Sequence, residues 1–356
     1  MESLASLHIM TASSSTTPAP PAKARIRLLQ AGGLLIAAIG GVILFVGLPR
    51  PSAPTWGIEL EAQLRPGQPG FPGLKTQFSV DAISLYRILA PDGTPSFAAQ
   101  ALFRDADNRS ATALLATRCP SAETPAQTAP ADWLKQDQRL ALWDEAMAEL
   151  AKRAEPNALV TGWWPNTQRV RLFTGLATTP WWALRSSFGD ARSWPVWSML
   201  SGGFGEDGKP QRELARCLTQ NATSALPRLK ALLPADRPVY VVVTVDDLLH
   251  LDEMRNLGGE AVRLENRKFP LGKDIHGTIR RTQDWADEIH AAGYLAQQAD
   301  TASVTVWASA RPLDQEALLI RLLPFSHSLQ KALPEFELVY QSGWGGYISI
   351  YHWRPQ

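Results

Sequence analysis

The densest group of side chains able to bind a ligand lies in the segment Gly162-Trp-Trp-Pro-Asn-Thr-Gln-Arg169. The apolar run before it predicts a strand over Ala158–Trp163, and the residues after it predict a helix over Thr167–Phe173. The group therefore falls at a strand end, where open α/β sheets bind ligands. Two indole rings beside amide and guanidinium groups could hold a planar or anionic ligand. The candidate binding residues are Trp163, Trp164, Asn166, Gln168, Arg169 and Arg171.

The same segment has a second interpretation, in which both tryptophans pack in the core, Asn166 caps a helix, and the arginines lie in solvent. Six of the thirteen tryptophans fall within residues 163–197, and so many large rings are difficult to bury completely. Tryptophan is enriched both at protein interfaces and at membrane interfaces. We call residues 161–197 the Trp-rich region, and it is the predicted protein-binding surface.

A second group follows the strand predicted at Val239–Val245. Asp246 and Asp247 come directly after that strand, and His250 and Glu253 follow them. Carboxylates at a strand end can bind a metal or act as a general base. Asp at a strand–helix junction is equally a helix cap, because its oxygens accept the free N–H groups of the first turn. Asp246 and Asp247 are candidate binding residues, and the capping alternative stays open.

Other patterns exclude several activities. The loop Gly203–Lys209 matches a phosphate-binding GxxxxGK, but Pro210 stands where a Ser or Thr hydroxyl would bind magnesium. Lys273–His276 precedes a predicted helix and resembles a cap as much as a site. The six histidines are scattered, without a recognised ligand spacing, and no GxSxG occurs. The sequence therefore predicts no metal and no cofactor, and it identifies no catalytic residue.

The two cysteines are Cys119 and Cys217, and neither belongs to a CxxC or CxxCH pattern. The chain therefore cannot attach a c-type haem by itself and has no thiolate cage for zinc. In an oxidising compartment the two could form one disulfide. The alternative is two separate buried thiols.

The elements that must position these groups alternate between strand and helix from about residue 75. This alternation predicts an α/β domain with helices packed on a mixed sheet. Ala98–Phe103 and Ala111–Thr117 are predicted as short strands or a hairpin around the turn residues Asp105–Asn108. The clearest helix is predicted at Asp132–Arg153, and a second over Gln211–Ala231 with a break at Pro227. The β-branched run at Val239–Val245 suits the centre of a sheet covered on both faces. Residues 337–353 predict a C-terminal antiparallel hairpin at the sheet edge.

An uncharged run of 21 residues, 28–48, has the length of a transmembrane helix. Lys23, Arg25 and Arg27 precede it, so the positive-inside bias places the N-terminus in the cytoplasm. A cleaved signal peptide is the alternative, but the run is long for one. The predicted organisation is a disordered cytoplasmic tail (1–27), an anchor (28–48), a Pro- and Gly-rich tether (49–74) and an extracytoplasmic domain (75–356). The net charge of +1 argues against a nucleic-acid partner.

Several segments together resemble the hydroxylamine oxidation protein HaoB family of ammonia- and methane-oxidising bacteria. They are the N-terminal anchor, TGWWPNTQRVRLFTG at 161–175, RPVYVVVTVDDL at 237–248, KFPLGKDIHGTI at 268–279 and LVYQSGWGGYISIYHW at 338–353. The resemblance implies a single-pass protein of the bacterial inner membrane with its main domain in the periplasm. It also implies an accessory role beside the multihaem hydroxylamine oxidoreductase.

Two hypotheses follow. In the first, the chain is a non-catalytic, membrane-tethered partner of that enzyme, which assists its maturation, holds it at the membrane or supports its electron transfer. In the second, the chain is an extracytoplasmic enzyme or ligand-binding domain related to the soluble domains of membrane glycosyltransferases. The second hypothesis predicts a pocket lined by Trp164, Asn166, Arg169, Asp246 and Asp247.

Overall fold

The computed structural model describes residues 55–118, 134, 137–206, 208–271, 275–298, 303–330 and 332–355. The predicted tail and anchor, the first residues of the tether, and Cys119 lie outside these ranges. Within them, no helix combines the length and the apolar character that crossing a bilayer requires.

The strands fall into three sheets, and most of them are short. In chain order they are β1 (Gly57–Leu64), β2 (Val80–Leu89), β3 (Pro95–Arg104), β4 (Ser110–Arg118), β5 (Leu159–Gly162), β6 (Ala177–Thr179), β7 (Val239–Thr244), β8 (Glu265–Pro270), β9 (Tyr294–Gln298), β10 (Ser303–Ala308), β11 (Phe336–Gln341) and β12 (Ile348–Trp353).

The helices of the described residues pack on the sheets or join their strands. They are α1 (Arg139–Arg153), α2 (Trp164–Thr174), α3 (Trp194–Ser201), α4 (Lys209–Thr219), α5 (Ala222–Leu232), α6 (Leu251–Asn256), α7 (Ile275–Glu288), α8 (Pro312–Gln315), α9 (Leu318–Leu322) and α10 (Gly343–Gly346). Short 3₁₀ helices occur at Arg185–Ser187, Ala191–Ser193, Val245–His250 and Ser328–Gln330.

The first sheet is an antiparallel meander of β1, β2, β3 and β4. The predicted hairpin around Asp105 is confirmed: one Asp105 carboxylate oxygen accepts the backbone N–H groups of Asp107 and Arg109, which closes the turn. Residues 57–64, inside the segment predicted as a tether, form β1 and pair with β2. The prolines that flank β1 suggested an extended linker, whereas its own residues alternate in the strand pattern.

The second sheet has five strands in the order β11-β12-β7-β5-β6. Strand β7 is buried along its whole length and lies in the middle, as its β-branched sequence predicts. Its pairing with β5 is parallel and its pairing with β12 is antiparallel, so the sheet is mixed. The predicted C-terminal hairpin is confirmed, with β11 at the edge. The third sheet, β8-β10-β9, is antiparallel throughout.

Helix α2 contacts strands of both larger sheets and is buried over most of its surface. It follows β5 directly, and its far face packs against β4. One continuous hydrophobic core joins the meander, α2 and the mixed sheet. The third sheet has a small core of its own, formed by Phe269, Trp285, Val306 and Ala308.

The predicted break of the 211–231 helix at Pro227 is wrong. Pro227 lies inside α5, and the chain breaks earlier, between α4 and α5. Asn221 forms an isolated antiparallel bridge with Ala317, which requires extended backbone at that point. The Asn221 side chain also caps α5, because it accepts the N–H of Thr223 at 2.9 Å. This long-range pairing has no signal in the local sequence.

Candidate functional site

The parallel pair β5 and β7 brings the two predicted groups together. Gly162 lies opposite Val242, so α2 and the 3₁₀ helix Val245–His250 begin side by side at the carboxyl ends of these strands. A Cβ atom at Gly162 would lie 2.4 Å from the Val242 carbonyl oxygen. Glycine at this position therefore permits the close approach that joins the groups. We call Arg139, Asn166, Arg169, Asp246, Asp247 and Tyr347 the polar cluster.

Asp247 is the buried centre of the polar cluster. Its two carboxylate oxygens each accept the Asn166 amide N–H₂ at 2.9 Å, and one also accepts the Thr244 N–H at 2.8 Å. The Thr244 hydroxyl in turn accepts the backbone N–H of Asp247, so the two residues form a capping box. Burial raises the pKa of Asp247 to about 6, although these hydrogen bonds oppose the shift. The capping interpretation accounts for its position.

Arg169 lies inside the protein and is not a solvated side chain. Its Nε donates to the Leu114 carbonyl oxygen at 2.8 Å, and its Nη1 donates to the Asn166 amide oxygen at 3.3 Å. Its guanidinium carbon lies 5.1 Å from the centroid of the Trp143 ring. Arg169 thus connects the polar cluster with β4 and α1, and it supplies the positive charge nearest to Asn166.

Asp246 is the more accessible carboxylate of the polar cluster, with 17% of its side chain exposed. It accepts the Tyr347 hydroxyl at 2.6 Å and forms an ion pair with Arg139 at 3.4 Å. Burial and the Asp246 charge hold the pKa of Tyr347 well above its ordinary value. Burial acts to lower the pKa of Arg139, but Asp246 and Asp137 outweigh it and the pKa is raised. One Asp246 oxygen, Oδ2, therefore accepts both donors.

Trp163 and Trp164 are core residues, each 1% exposed. Their indole N–H groups donate to the same Glu253 oxygen at 3.4 Å and 3.1 Å. The other Glu253 oxygen contacts His250 Nδ1 at 2.7 Å. Burial acts to lower the pKa of His250, but the Glu253 charge outweighs it, so the pKa is raised. The structure therefore supports the core-packing interpretation of both rings.

Gln168 and Arg171 point away from the polar cluster. The Gln168 amide bridges the Leu114 N–H and the Ser201 carbonyl oxygen, which holds α2 against β4 and α3. Arg171 pairs with Asp105 at 2.7 Å, and its guanidinium carbon lies 4.5 Å from the Trp181 ring centroid. The structure thus unites Asn166, Arg169, Asp246 and Asp247 and separates Gln168 and Arg171 from them.

Arg139 and Tyr347 are the members of the polar cluster that the sequence did not reveal. Arg139 begins α1, and Tyr347 follows the glycine-rich turn of α10. Neither position stands out locally, because both reach Asp246 only through long-range packing. The only available signal for Tyr347 is its place as the first residue of the last predicted strand.

The side chains of the polar cluster bond mainly to other protein groups, and in this way they connect helices and strands. Few of their polar atoms are left for a ligand. Both Asp247 oxygens and one Asp246 oxygen accept hydrogen bonds from protein donors, and Asp246 forms an ion pair with Arg139. Among the described residues, no group of His, Cys, Asp and Glu side chains has a metal-binding arrangement. The titratable groups with raised pKa values here include Asp247 and the neighbouring His250, and Asn166 hydrogen-bonds to both Asp247 and Arg169 within the predicted pocket lining.

Elsewhere, the Trp-rich region is partly at the surface. Trp181 is exposed, and Trp182, Trp194 and Trp197 are half-buried.

Cys217 is buried, and burial raises the pKa of its thiol to about 11. Its proposed partner Cys119 lies outside the described residues, as do Lys273 and Asp274, so the disulfide remains a prediction.

Of three comparisons with known proteins, one identifies a family. The sequence model of the family described as HaoA-associated protein HaoB matches residues 25–353, which confirms the resemblance. No curated protein matches the chain. Among solved structures, the C-terminal domain of PglB from C. jejuni is similar over 59% of this chain and 98% of that one. Its sequence identity is 10% and its TM-score is 0.34, so this likeness carries no argument about fold or function.

Proposed function

This chain belongs to the family of the HaoA-associated protein HaoB, and we propose that it holds HaoA hydroxylamine oxidoreductase at the periplasmic face of the bacterial inner membrane. In this proposal the chain acts by binding and contributes no catalytic group of its own. The observation that carries it is the extent of the family match, which covers most of the chain and includes residues 28–48.

The residues before the described unit supply the argument for a membrane. The uncharged run at 28–48 has spanning length, and basic residues precede it. A single anchor followed by a folded unit beginning at Thr55 suits a tether for a soluble partner. The chain has no haem-attachment motif, so any help with electron transfer would come from positioning.

The internal pairing of the polar cluster supports a binding role over a catalytic one. A general base or nucleophile must be able to reach a substrate atom. Asp247 and Arg169 are buried and bound to their neighbours. The half-exposed tryptophans, in contrast, resemble the residues that dominate protein interfaces.

Deletion of the gene in a producing bacterium tests this function. We expect HaoA to move from the membrane fraction to the soluble fraction, while its haem content per polypeptide stays unchanged. The full-length chain should restore the membrane fraction, and a chain that lacks residues 1–54 should not. Fractionation with haem-stained gels and immunoblots measures the distribution.

Two outcomes would contradict the proposal. If HaoA stays in its original fraction and does not co-purify with the tagged full-length chain, binding is not the function. If HaoA loses haem in the deletion strain, the chain assists maturation instead of tethering.

A further inference from the structure

A surface groove of about 570 Å³ lies in and beside the Trp-rich region. One wall is the 3₁₀ helix Arg185–Ser187, and the other is the start of α4. Between them, Phe204 bridges to Ala183, and the Gly205 N–H donates to the Ala183 carbonyl oxygen at 2.9 Å. A Cβ atom at Gly205 would overlap the Trp182 ring. The Gly205 backbone at the floor of the groove therefore packs directly on the Trp182 ring.

Arg185 is oriented for an external partner. Its guanidinium carbon lies 5.2 Å from the Trp194 ring centroid and 5.8 Å from that of Phe204. Aromatic rings that pack against a guanidinium plane leave its in-plane N–H donors available, and those donors match a carboxylate in a bidentate geometry. Within the described part of the chain, no carboxylate forms an ion pair with Arg185. Trp and Arg together are the residues most enriched at the energetic centres of interfaces.

The described charges of the groove favour an anion. Three basic side chains, Arg185, Lys209 and Arg212, line it with two acidic ones, Glu206 and Glu213. The Glu213 oxygens pair with Arg216 at 2.5 Å and Arg228 at 3.8 Å, so its charge is already compensated. Helix α4 starts at the groove without a side-chain cap or an acidic residue in its first turn. The partial positive charge of its N-terminus adds to the basic side chains.

We propose that this groove binds an acidic, carboxylate-bearing segment of the protein partner, with Arg185 and Arg212 contacting its carboxylates. This inference rests on the proposed function, because the partner is HaoA. Both arginines line the groove and are exposed, so they lie at its rim. The Arg212 Nη2 donates to the Ser186 hydroxyl across the groove at 3.2 Å. The Leu184 and Trp194 side chains that line the groove accommodate apolar side chains beside the acidic ones.

Binding of full-length chain in detergent micelles to immobilised HaoA tests the groove. We expect the double variant Arg185→Glu/Arg212→Glu to bind at least about tenfold more weakly, as removal of a central interface arginine does. The matched control is Arg104→Glu/Arg280→Glu, which reverses two exposed arginines outside the groove and should bind as the wild type does. All four arginines are exposed, and thermal unfolding of both variants verifies that each remains folded under the binding conditions.

A second arm does not depend on HaoA. A fluorescein-labelled deca-glutamate peptide should bind the wild type, and its affinity should fall in the groove variant and fall with added salt. Vesicles of phosphatidylglycerol should bind both chains equally. Vesicle binding that is lost only in the groove variant would assign the groove to a lipid and overturn the proposal.

The outcomes for the two proposals differ. If HaoA binds the wild type and the groove variant equally, the groove inference is wrong and the proposed function stands. If HaoA binds neither, but the peptide binds the wild type and not the groove variant, the proposed function fails and the acidic-segment site stands.

Discussion

At the scale of single residues, Asp247 is a carboxylate enclosed in the protein interior. Its carboxylate is enclosed by Asn166 and Thr244 and keeps a pKa of about 6 because burial disfavours the charged form. The carboxylate accepts three hydrogen bonds, yet the desolvation outweighs them. A group of this kind makes the stability of the fold depend on pH in the weakly acidic range.

The sign follows from the raised pKa. The folded chain binds the Asp247 proton more tightly than the unfolded chain does, so ionisation between about pH 4 and pH 6 destabilises the fold. A shift from 3.8 to about 6 corresponds to roughly 3 kcal/mol. We expect Asp247→Asn, which cannot ionise, to gain about this much relative to the wild type between pH 4 and pH 7. Urea unfolding of residues 55–356 across that range measures the difference.

The control for this experiment is Asp252→Asn. The Asp252 side chain is 81% exposed, so its removal should leave the pH dependence of the wild type unchanged. Parallel curves for the wild type and Asp247→Asn would show that Asp247 ionises freely in the folded protein.

The sequence predicted the meeting of Asn166, Arg169, Asp246 and Asp247, because all four follow strands of one parallel pair. The sequence did not predict that these side chains would already be hydrogen-bonded within the protein. That outcome depends on the lengths of α2 and the 3₁₀ helix and on the donors that Arg139 and Tyr347 bring from distant segments. The sequence left burial of Trp163 and Trp164 as one of two alternatives. In the structure both rings are buried, and their indole N–H groups donate hydrogen bonds to Glu253.

At the scale of elements, the close pairing of β5 with β7 determines how α2 enters the core. Gly162 ends β5 where the next strand leaves no space for a side chain. The polar cluster depends on this contact, since Asn166 lies one turn beyond it on α2.

Gly162→Ala should therefore destabilise the fold by about 1–3 kcal/mol, the usual effect of overpacking a well-packed interior. Gly73→Ala is the control, because no atom lies within 4 Å of a Cβ there and the position is exposed. Thermal unfolding of both variants measures the effect. Equal transition temperatures for the two variants would mean that β5 and β7 can move apart to accommodate a methyl group with little loss of stability.

Strong local patterns predicted elements correctly, and weak ones did not. The β-branched residues of β7, the hairpin of β3 and β4 and the C-terminal hairpin all have a local signal. Strand β1 was missed because proline-rich segments flank it, and the boundary of α4 and α5 was misplaced because a long-range bridge determines it. Only the second of these errors arises from pairing with a distant residue.

At the scale of the whole molecule, residues 55–356 form one compact unit. We expect this part to fold alone and to remain soluble without detergent, whereas the full-length chain should need detergent. Cooperative thermal unfolding followed by circular dichroism would confirm it. Aggregation of the truncated chain, or loss of its unfolding transition, would show that residues 1–54 contribute to the fold.

A shorter chain, residues 66–356, is the matched comparison. It lacks β1, which pairs with β2 along most of its length, and it loses the partly buried Ile58 and Ala62 that pack on the core. Its stability should be lower than that of residues 55–356. Equal stability would mean that β1 is a peripheral addition to the meander.

The last strand of the chain is also an interior strand of its sheet. Strand β12 lies between β11 and β7, and Tyr347 reaches back 101 residues to Asp246. During synthesis, that edge of β7 stays open until residues 348–353 leave the ribosome, because no earlier strand of the described residues pairs with it. Any stop codon before residue 348 would leave this edge permanently open, and the truncated product should aggregate and be degraded. Completion of the mixed sheet therefore depends on residues 348–353, which are synthesised well after β7.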